Sequence, residues 1–464
     1  MQKAIAKYGL AAHLAILAVA PLFLFPFCGD DVVAVVLLWL SLPAALWTFL
    51  QPSVRGGEML HDARARVSHE VFHDPLLWVM LAAVVFSGVR ALNTGVAIAY
   101  DAESAKWYMA SPALPLMPAS SGDAGFLPFA GSLACMVLAM ACRHALGRAA
   151  RESFFLVSSG LAGLAAAIAV FLASTGNAAA AAAVRCPLRQ MSFVGVVFAV
   201  YAVCGIVAAV ATIENKWNRA VPVLVLSVGG TMAGAVAFSP VHVMGIFLMA
   251  WLAVFAYAFL YSLFSLRGAS EFKLLLVLAL SLAGGWMLVA MTDSGSQISS
   301  RMVALVGRSF LPDWYAGARR AVSAIAFKAW MSNPWTGTGV GSFVLDLRFN
   351  AAPADWAAIP RGLAGPPFGW QKLLTERGIA GAAMMALPLI LMMTTYISRL
   401  VGWLFARTAP QPGCWVAPAV LLAAIASGFF DCSYLRADVL MAVAATLALS
   451  ACMFPKAGKG MKNG

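Results

Sequence analysis

Long apolar runs separated by short polar segments make up most of this chain. A helix that crosses a bilayer needs about 20 mostly apolar residues, and runs of about this length recur from end to end. The pattern predicts twelve spanning helices, near residues 10–28, 32–50, 75–92, 127–146, 154–173, 192–212, 221–238, 243–265, 273–292, 378–398, 416–431 and 438–454. We therefore expect an all-α, polytopic membrane protein.

Basic residues are concentrated in alternate connections between these runs. They are Lys3, Lys7, Arg55, Arg64, Arg66, Arg143, Arg148, Arg151, Lys216, Arg219, Arg267, Lys273, Arg399, Arg407, Lys456, Lys459 and Lys462. Connections rich in Lys and Arg stay in the cytoplasm. The alternation therefore predicts that both termini are cytoplasmic.

One connection on the opposite side is much longer than the others. It divides the chain into a nine-helix membrane region at 1–292, a large loop at 293–377, a three-helix membrane region at 378–454 and a basic tail at 455–464. Within this loop, Tyr315–Ser332 has apolar residues at helical spacing, namely Val322, Ile325, Ala326 and Ala329. The pair Asn333-Pro334 should end that helix, because the residue before a proline disfavours the helical conformation.

Composition and charge agree with a membrane protein and exclude a nucleic-acid-binding one. Hydrophobic residues are 62% and charged residues 11% of 464 positions, whereas soluble domains carry about 25% charged residues. The net charge of +12 comes from short clusters beside apolar runs and does not form one basic face. We therefore expect membrane lipid as a partner and no nucleic acid.

The large loop contains a glycine-rich segment followed by an acidic one. The first holds Pro334, Gly337, Gly339 and Gly341, and the second, which reads L-x-E-x-G, holds Glu376 and Gly378. Spaced glycines also occur in nucleotide-binding loops, but no predicted strand precedes this segment and no Lys-Ser/Thr follows it. We interpret the glycines as a tight turn that lets the backbone approach a neighbour closely.

These two segments, together with the twelve-span layout and the large loop between spans nine and ten, resemble the O-antigen ligase and polymerase family of bacterial membrane glycosyltransferases. The resemblance implies a location in the bacterial inner membrane, with the large loop in the periplasm. It implies an enzyme that transfers a glycan from an undecaprenyl-pyrophosphate carrier to a lipid, glycan or protein acceptor. The family uses no metal or nucleotide cofactor.

The resemblance also implies which residues carry the chemistry. Cations must hold and neutralise the departing pyrophosphate, a task that suits the paired donors of arginine. The candidates are Arg301, Arg308, Arg319 and Arg320.

A base must activate the acceptor hydroxyl, but this chain has Pro367-Phe368 where the family has His-Asn. It also has Ser239-Pro240-Val241-His242 where the family commonly has Ser-Arg-Gly, which leaves His242 as the candidate base. These departures keep a non-catalytic family member open.

A different motif lies in the first cytoplasmic connection. His69, Glu70 and His73 form an H-E-x-x-H sequence, which on a helix is the arrangement of zinc hydrolases. The alternatives are a membrane metalloprotease and an amphipathic helix at the membrane surface with solvated charges. A polysaccharide or lipid transporter, or a flippase, is a further alternative for the whole chain.

Overall fold

The computed structural model describes residues 2–24, 28–54, 58–93, 98–101, 106–109, 120, 125–174, 201, 313–343, 366, 369–406 and 437–452. The helices are α1 Gln2–Leu24, α2 Asp30–Leu50, α3 Leu60–Phe72, α4 Pro75–Leu92, α5 Phe126–Met140, α6 Arg148–Ser174, α7 Asp313–Ser332, α8 Gly369–Ala406 and α9 Ala437–Cys452. A π-helical turn, Ala141–Ala145, extends α5.

Five described helical stretches are long and apolar enough to cross a membrane. They are Asp30–Leu50, Pro75–Leu92, Phe126–Ala145, Ala150–Ile168 and Gly369–Gly402, and the shorter apolar helix Tyr8–Leu24 precedes them. These helices indicate a membrane-embedded protein.

Seven of the twelve predicted spans coincide with described helices, α1, α2, α4, α5, α6, α8 and α9. The other five, near 192–212, 221–238, 243–265, 273–292 and 416–431, lie outside the described residues apart from position 201.

A small β-hairpin is the one departure from the all-α prediction within the described part of the chain. Strand β1, Ile98–Asp101, pairs antiparallel with β2, Lys106–Met109, with Asp101 opposite Lys106. Isoleucine, tyrosine and tryptophan favour strands because their side chains suit a pleated surface. They occupy much of this segment, which lies in the connection between the predicted spans 75–92 and 127–146.

Helix α5 lies at the centre of the described bundle, in contact with α2, α4 and α9. Its buried positions are mostly small side chains, namely Ala130, Gly131, Ala134, Cys135 and Ala139. Small residues let helix backbones approach closely, which favours helix association where no hydrophobic effect drives it.

Helix α3 is amphipathic and leads directly into α4. Ala63, Val67 and Val71 recur every fourth residue and are all buried, which gives the helix one apolar face. Asp74 then caps α4 by accepting a hydrogen bond from the Leu76 amide at 3.0 Å, and Pro75 occupies the first helical position. Both features favour a helix start at this residue.

The described basic connections meet at one end of the bundle, which we call the basic end. The Ser53 amide donates to the Ala145 carbonyl at 2.9 Å. Arg151 and Arg399 donate to the last carbonyls of α9, at Cys452 (3.1 Å) and Ala451 (2.6 Å). Arginines at a helix C-terminus stabilise its free carbonyls.

Candidate functional site

Helix α7 packs through the apolar face that its sequence predicts. Val322, Ile325 and Ala326 are buried together with Phe343, which follows the helix, and Ala329 is buried as well. The helix ends at Ser332, directly before Asn333-Pro334. The prediction of an amphipathic helix in this segment is confirmed.

Helix α7 is attached to the first turns of α8. Gln371 Nε2 donates to Ser323 Oγ, and one turn later Thr375 Oγ1 donates to the Ala326 carbonyl at 3.2 Å. From the first contact to the second, the residue number rises in both helices. The two helical segments therefore run side by side in the same direction.

The segment after α7 folds back onto α8 and pairs with it through the main chain. The Thr338 and Gly339 amides donate to the Thr375 and Glu376 carbonyls at 2.7 and 3.1 Å. In return, the Ile379 and Ala380 amides donate to the Pro334 and Trp335 carbonyls at 2.9 and 3.0 Å. We call this contact between residues 334–341 and 375–380 the glycine joint.

The glycine joint replaces two hydrogen bonds of helix α8. In an unbroken helix, the amides of residues 379 and 380 would bond to the carbonyls of 375 and 376. Gly378 has φ 65° and ψ −173°, which breaks the helix at this point and separates those groups. Residues 334–339 supply a partner to all four of them, so none of these main-chain groups is left unsatisfied.

Both sides of the joint require glycine. Gly337 has φ +72°, and a Cβ there would lie 2.6 Å from the Gly378 nitrogen. A Cβ on Gly378 would lie 2.4 Å from the Trp335 carbonyl carbon and 2.5 Å from the Gly337 nitrogen. Positive φ costs an ordinary residue roughly 1–2 kcal/mol, and here any side chain would also overlap the opposite backbone.

Arg90 ties the last turn of α4 to both halves of the joint. Its side chain is only 2% exposed, and Nη2 donates to the Thr336 and Glu376 carbonyls, each at 2.9 Å. The guanidinium also lies 5.4 Å from the centre of the Phe86 ring. Sequence reasoning missed this residue, although an arginine inside a predicted span is an unusual and usually functional feature.

Glu376 is a buried carboxylate at the centre of the joint. It is 4% exposed, it accepts a hydrogen bond from the Gly341 amide, and the positive groups around it include Arg90, Lys372 and Arg377. Within the described residues, Arg90 Nε and Nη1 and one Glu376 oxygen, Oε1, have no hydrogen-bond partner. The joint therefore brings an acidic group and several basic groups together in a poorly solvated place.

The amides of the glycine turn are largely occupied by the protein itself. The Gly337 amide donates to the Asn333 carbonyl, and the Ser342 amide to the Gly339 carbonyl. The amides of residues 338, 339 and 341 bond to α8. These groups cannot also cradle a phosphate, so the turn acts here as a close backbone contact.

The predicted cationic residues fall into two groups. Arg319 and Arg320 lie in α7, about one turn before Ser323, and are therefore carried by the helix that the joint anchors. Arg301, Arg308 and His242 lie outside the described residues, as do positions 367–368.

The H-E-x-x-H motif lies on α3 at the basic end. The His69 and His73 rings stack with their centroids 3.9 Å apart, and His73 Nδ1 is bonded to the His69 carbonyl at 2.8 Å. Glu70 faces Arg66 at 3.7 Å and His144 at 3.5 Å. Over the described ranges, no group of three or more His, Cys, Asp or Glu side chains could hold a metal, so these two histidines gain no third ligand there.

Asp74 holds the basic end together through charged contacts. Its Oδ2 lies 2.8 Å from His144 Nε2 and 3.0 Å from Arg143 Nε. Burial acts to raise the pKa of this carboxyl, but the hydrogen bond from His144, the charge of Arg143 and the Leu76 amide outweigh it, so the pKa is lowered. The ionised carboxylate therefore stabilises the contact between the start of α4 and the π-helical turn.

No protein-family model matches the chain, and no curated protein is detectably similar to it in sequence. The glycine joint and the residues that it holds are therefore the basis for a functional assignment.

Proposed function

We propose that this chain is a membrane glycosyltransferase similar to O-antigen ligases and polymerases. It would transfer a glycan from undecaprenyl pyrophosphate to a lipid, glycan or protein acceptor, without a metal or nucleotide cofactor. One observation carries the proposal. The glycine-rich segment and the L-x-E-x-G segment, on which the resemblance rests, lie about 40 residues apart and form a single contact unit.

The charge distribution supports an exterior position for this unit. The described basic connections meet at one end of the bundle, around Arg143, Arg151 and Arg399. The joint lies at the other end, where the last turn of α4 meets the start of α8. Lys- and Arg-rich connections remain in the cytoplasm, so the joint and α7 would face the periplasm of a bacterial inner membrane.

The proposed reaction needs little from the protein beyond positioning and charge. The acceptor hydroxyl oxygen attacks the anomeric carbon, and the bond between that carbon and the pyrophosphate oxygen breaks. Undecaprenyl pyrophosphate leaves with the electron pair, and the hydroxyl proton passes to a base. Arg319 and Arg320 would neutralise the negative charge that develops on the pyrophosphate.

The joint gives those arginines a fixed position. Helix α7 is attached to α8 at Ser323 and Ala326, and the segment after it is bonded to α8 and to Arg90. A catalytic group that is held in place by a rigid scaffold loses less entropy when it meets its substrate. In this proposal the joint is a positioning element and touches no substrate.

The proposal can be tested with purified protein and a lipid-linked glycan donor in liposomes. The double change Arg319→Ala/Arg320→Ala should abolish the glycosylated product, which mass spectrometry detects on the added acceptor. Lys328→Ala removes an exposed cation from the same helix and should leave product formation intact.

The result that overturns the proposal is equal product formation by the double variant and the wild type. Protease resistance of the loop should be measured in parallel, because it shows whether the variant still forms the joint. A transporter would instead move the lipid-linked glycan across the bilayer without any covalent product.

A further inference from the structure

Helix α7 and the glycine turn expose a continuous set of large apolar side chains. Phe327 and Met331 lie one turn apart on the same face and are 52% and 57% exposed. Trp335, at the start of the turn, is 69% exposed. We call these three residues the apolar edge. Exposed apolar side chains that cluster in this way commonly mark a contact with another protein or with a membrane.

The apolar edge adjoins the start of a membrane-spanning stretch. The Trp335 carbonyl accepts a hydrogen bond from the Ala380 amide at 3.0 Å, next to the exposed Ile379. From there an exposed stripe follows α8, formed by Ile379, Leu387, Ile390, Ile397 and Val401. Their spacing puts them on one side of the helix, and α8 is apolar enough to span a bilayer. An exposed apolar stripe along such a helix suits contact with lipid.

The residue types of the edge suit the boundary between lipid and water. Tryptophan is enriched at that level because its ring is apolar and its N–H is polar. Lys328 is exposed beside the edge, and a lysine there can bury its methylene groups and direct its ammonium group toward lipid headgroups. The neighbouring Trp330 is only partly buried, and its indole N–H donates to the Pro334 carbonyl at 3.2 Å.

We propose that the apolar edge lies in the membrane interface and contacts lipid directly. The glycine joint fixes Trp335 at the level where the α8 span begins, and the edge continues the lipid-facing stripe of that span. The last turns of α7 are then held from two sides, by the joint and by the bilayer. This inference does not depend on the transferase function.

Site-specific photo-crosslinking tests the proposal on the full chain. Benzoyl-phenylalanine would be introduced at Phe327, Met331 or Trp335, and the protein placed in nanodiscs of phosphatidylethanolamine and phosphatidylglycerol. The matched control position is Ser332, which is also exposed but lies about 140° around the helix from Phe327. After illumination, mass spectrometry separates lipid adducts from protein adducts.

Lipid adducts should form several-fold more at the three edge positions than at Ser332. Equal yields at Ser332 would overturn the proposal, because they would show no preferred face. Crosslinks at the edge to a second copy of the chain or to another segment of the same chain would also overturn it, since they would show that protein covers the edge.

Discussion

Gly337 and Gly378 lie with their backbones in direct contact, although 40 residues separate them in the chain. A Cβ on either residue would come within 2.6 Å of the nitrogen of the other, and both have positive φ. This contact lets the turn after α7 supply the hydrogen bonds that α8 loses at its break. The position of α7 therefore depends on glycine at both positions, because any side chain there would overlap the opposite backbone.

Replacing Gly378 by alanine should destabilise the protein by roughly 3 kcal/mol or more. The new methyl group would overlap the Trp335 carbonyl, and positive φ is unfavourable for alanine. Thermal unfolding in detergent, followed by intrinsic fluorescence, measures the effect. The double variant Gly337→Ala/Gly378→Ala should be scarcely worse than Gly378→Ala, because both changes break one contact.

Gly160→Ala is the matched control for this substitution. Gly160 lies in α6, and a Cβ there meets nothing within 4 Å, so the variant should keep or slightly raise the midpoint of unfolding. Equal midpoints for Gly378→Ala and Gly160→Ala would mean that the joint does not contribute to stability.

Arg90 and Glu376 should be energetically coupled. Arg90→Met removes the side-chain donor to the Thr336 carbonyl and one of the two donors to the Glu376 carbonyl, and it leaves a buried carboxyl with less compensating charge, at a cost of about 1–3 kcal/mol. Glu376→Gln removes a charge that burial disfavours and keeps an oxygen that can accept from the Gly341 amide, so it should change stability by at most about 1 kcal/mol in either direction. The double variant should cost less than the sum of the two, by about 1 kcal/mol or more.

A double-mutant cycle on the free energy of unfolding, from denaturant titrations, measures this coupling. Lys328→Met on the exposed surface of α7 is the control and should change stability by no more than about 0.5 kcal/mol. Strict additivity of the Arg90 and Glu376 changes would contradict the coupling.

The basic end should lose stability in acid because of Asp74. The pKa of its carboxyl is lowered in the folded state. The stabilisation is therefore fully present above the pKa of the unfolded state, about 3.9, and is lost as the pH falls through the lower pKa of the folded state. Asp74→Asn should lower the midpoint of thermal unfolding at pH 7, and the difference from the wild type should shrink below about pH 4.

The matched control for Asp74 is Asp62, whose side chain is 66% exposed. Asp62→Asn should leave the midpoint nearly unchanged at every pH. A constant difference between Asp74→Asn and the wild type from pH 7 to pH 3 would show that the charge of Asp74 is not the cause.

Phe343 should hold the loop helix to the joint. Its side chain is fully buried against Val322, Ile325 and Ala326, and Phe343→Ala should cost about 3–5 kcal/mol. This loss of stability should appear as faster proteolysis within the loop. Lys328→Ala removes an exposed side chain from the same helix and should not change the rate of cleavage by a protease that does not cut after lysine. Equal cleavage rates for the two variants would contradict this role of Phe343.

Local periodicity was enough to predict α7 and the described spans. The buried residues Val322, Ile325 and Ala326 recur at helical spacing, and the helix ends before Asn333-Pro334 as the proline requires. The span from Pro75 to Leu92 begins and ends where its apolar run does. These helix bounds and buried faces are determined by residues that lie close together in the sequence, so they can be predicted from it.

The joint could not be predicted in the same way. The bonds of Arg90 reach residues that lie 246 and 286 positions further along the chain, and only the packing of α4 against α8 brings them together. The glycines could be interpreted as a turn, but the segment that this turn contacts, residues 375–380, could not be identified. Likewise, the position of Arg90 inside a predicted span is unusual, but its partners at residues 336 and 376 could not be identified from the sequence.

The break in α8 has a consequence for the order in which the protein assembles during synthesis. Arg90 and residues 334–341 leave the ribosome before residues 375–380, so the turn has no carbonyls or amides to bond until the next span is made. A nascent chain halted near residue 370 should therefore leave α7 open to protease, whereas one extended past residue 406 should protect it. The loop would be among the last parts of this region to mature, and insertion of α8 would be the event that completes it.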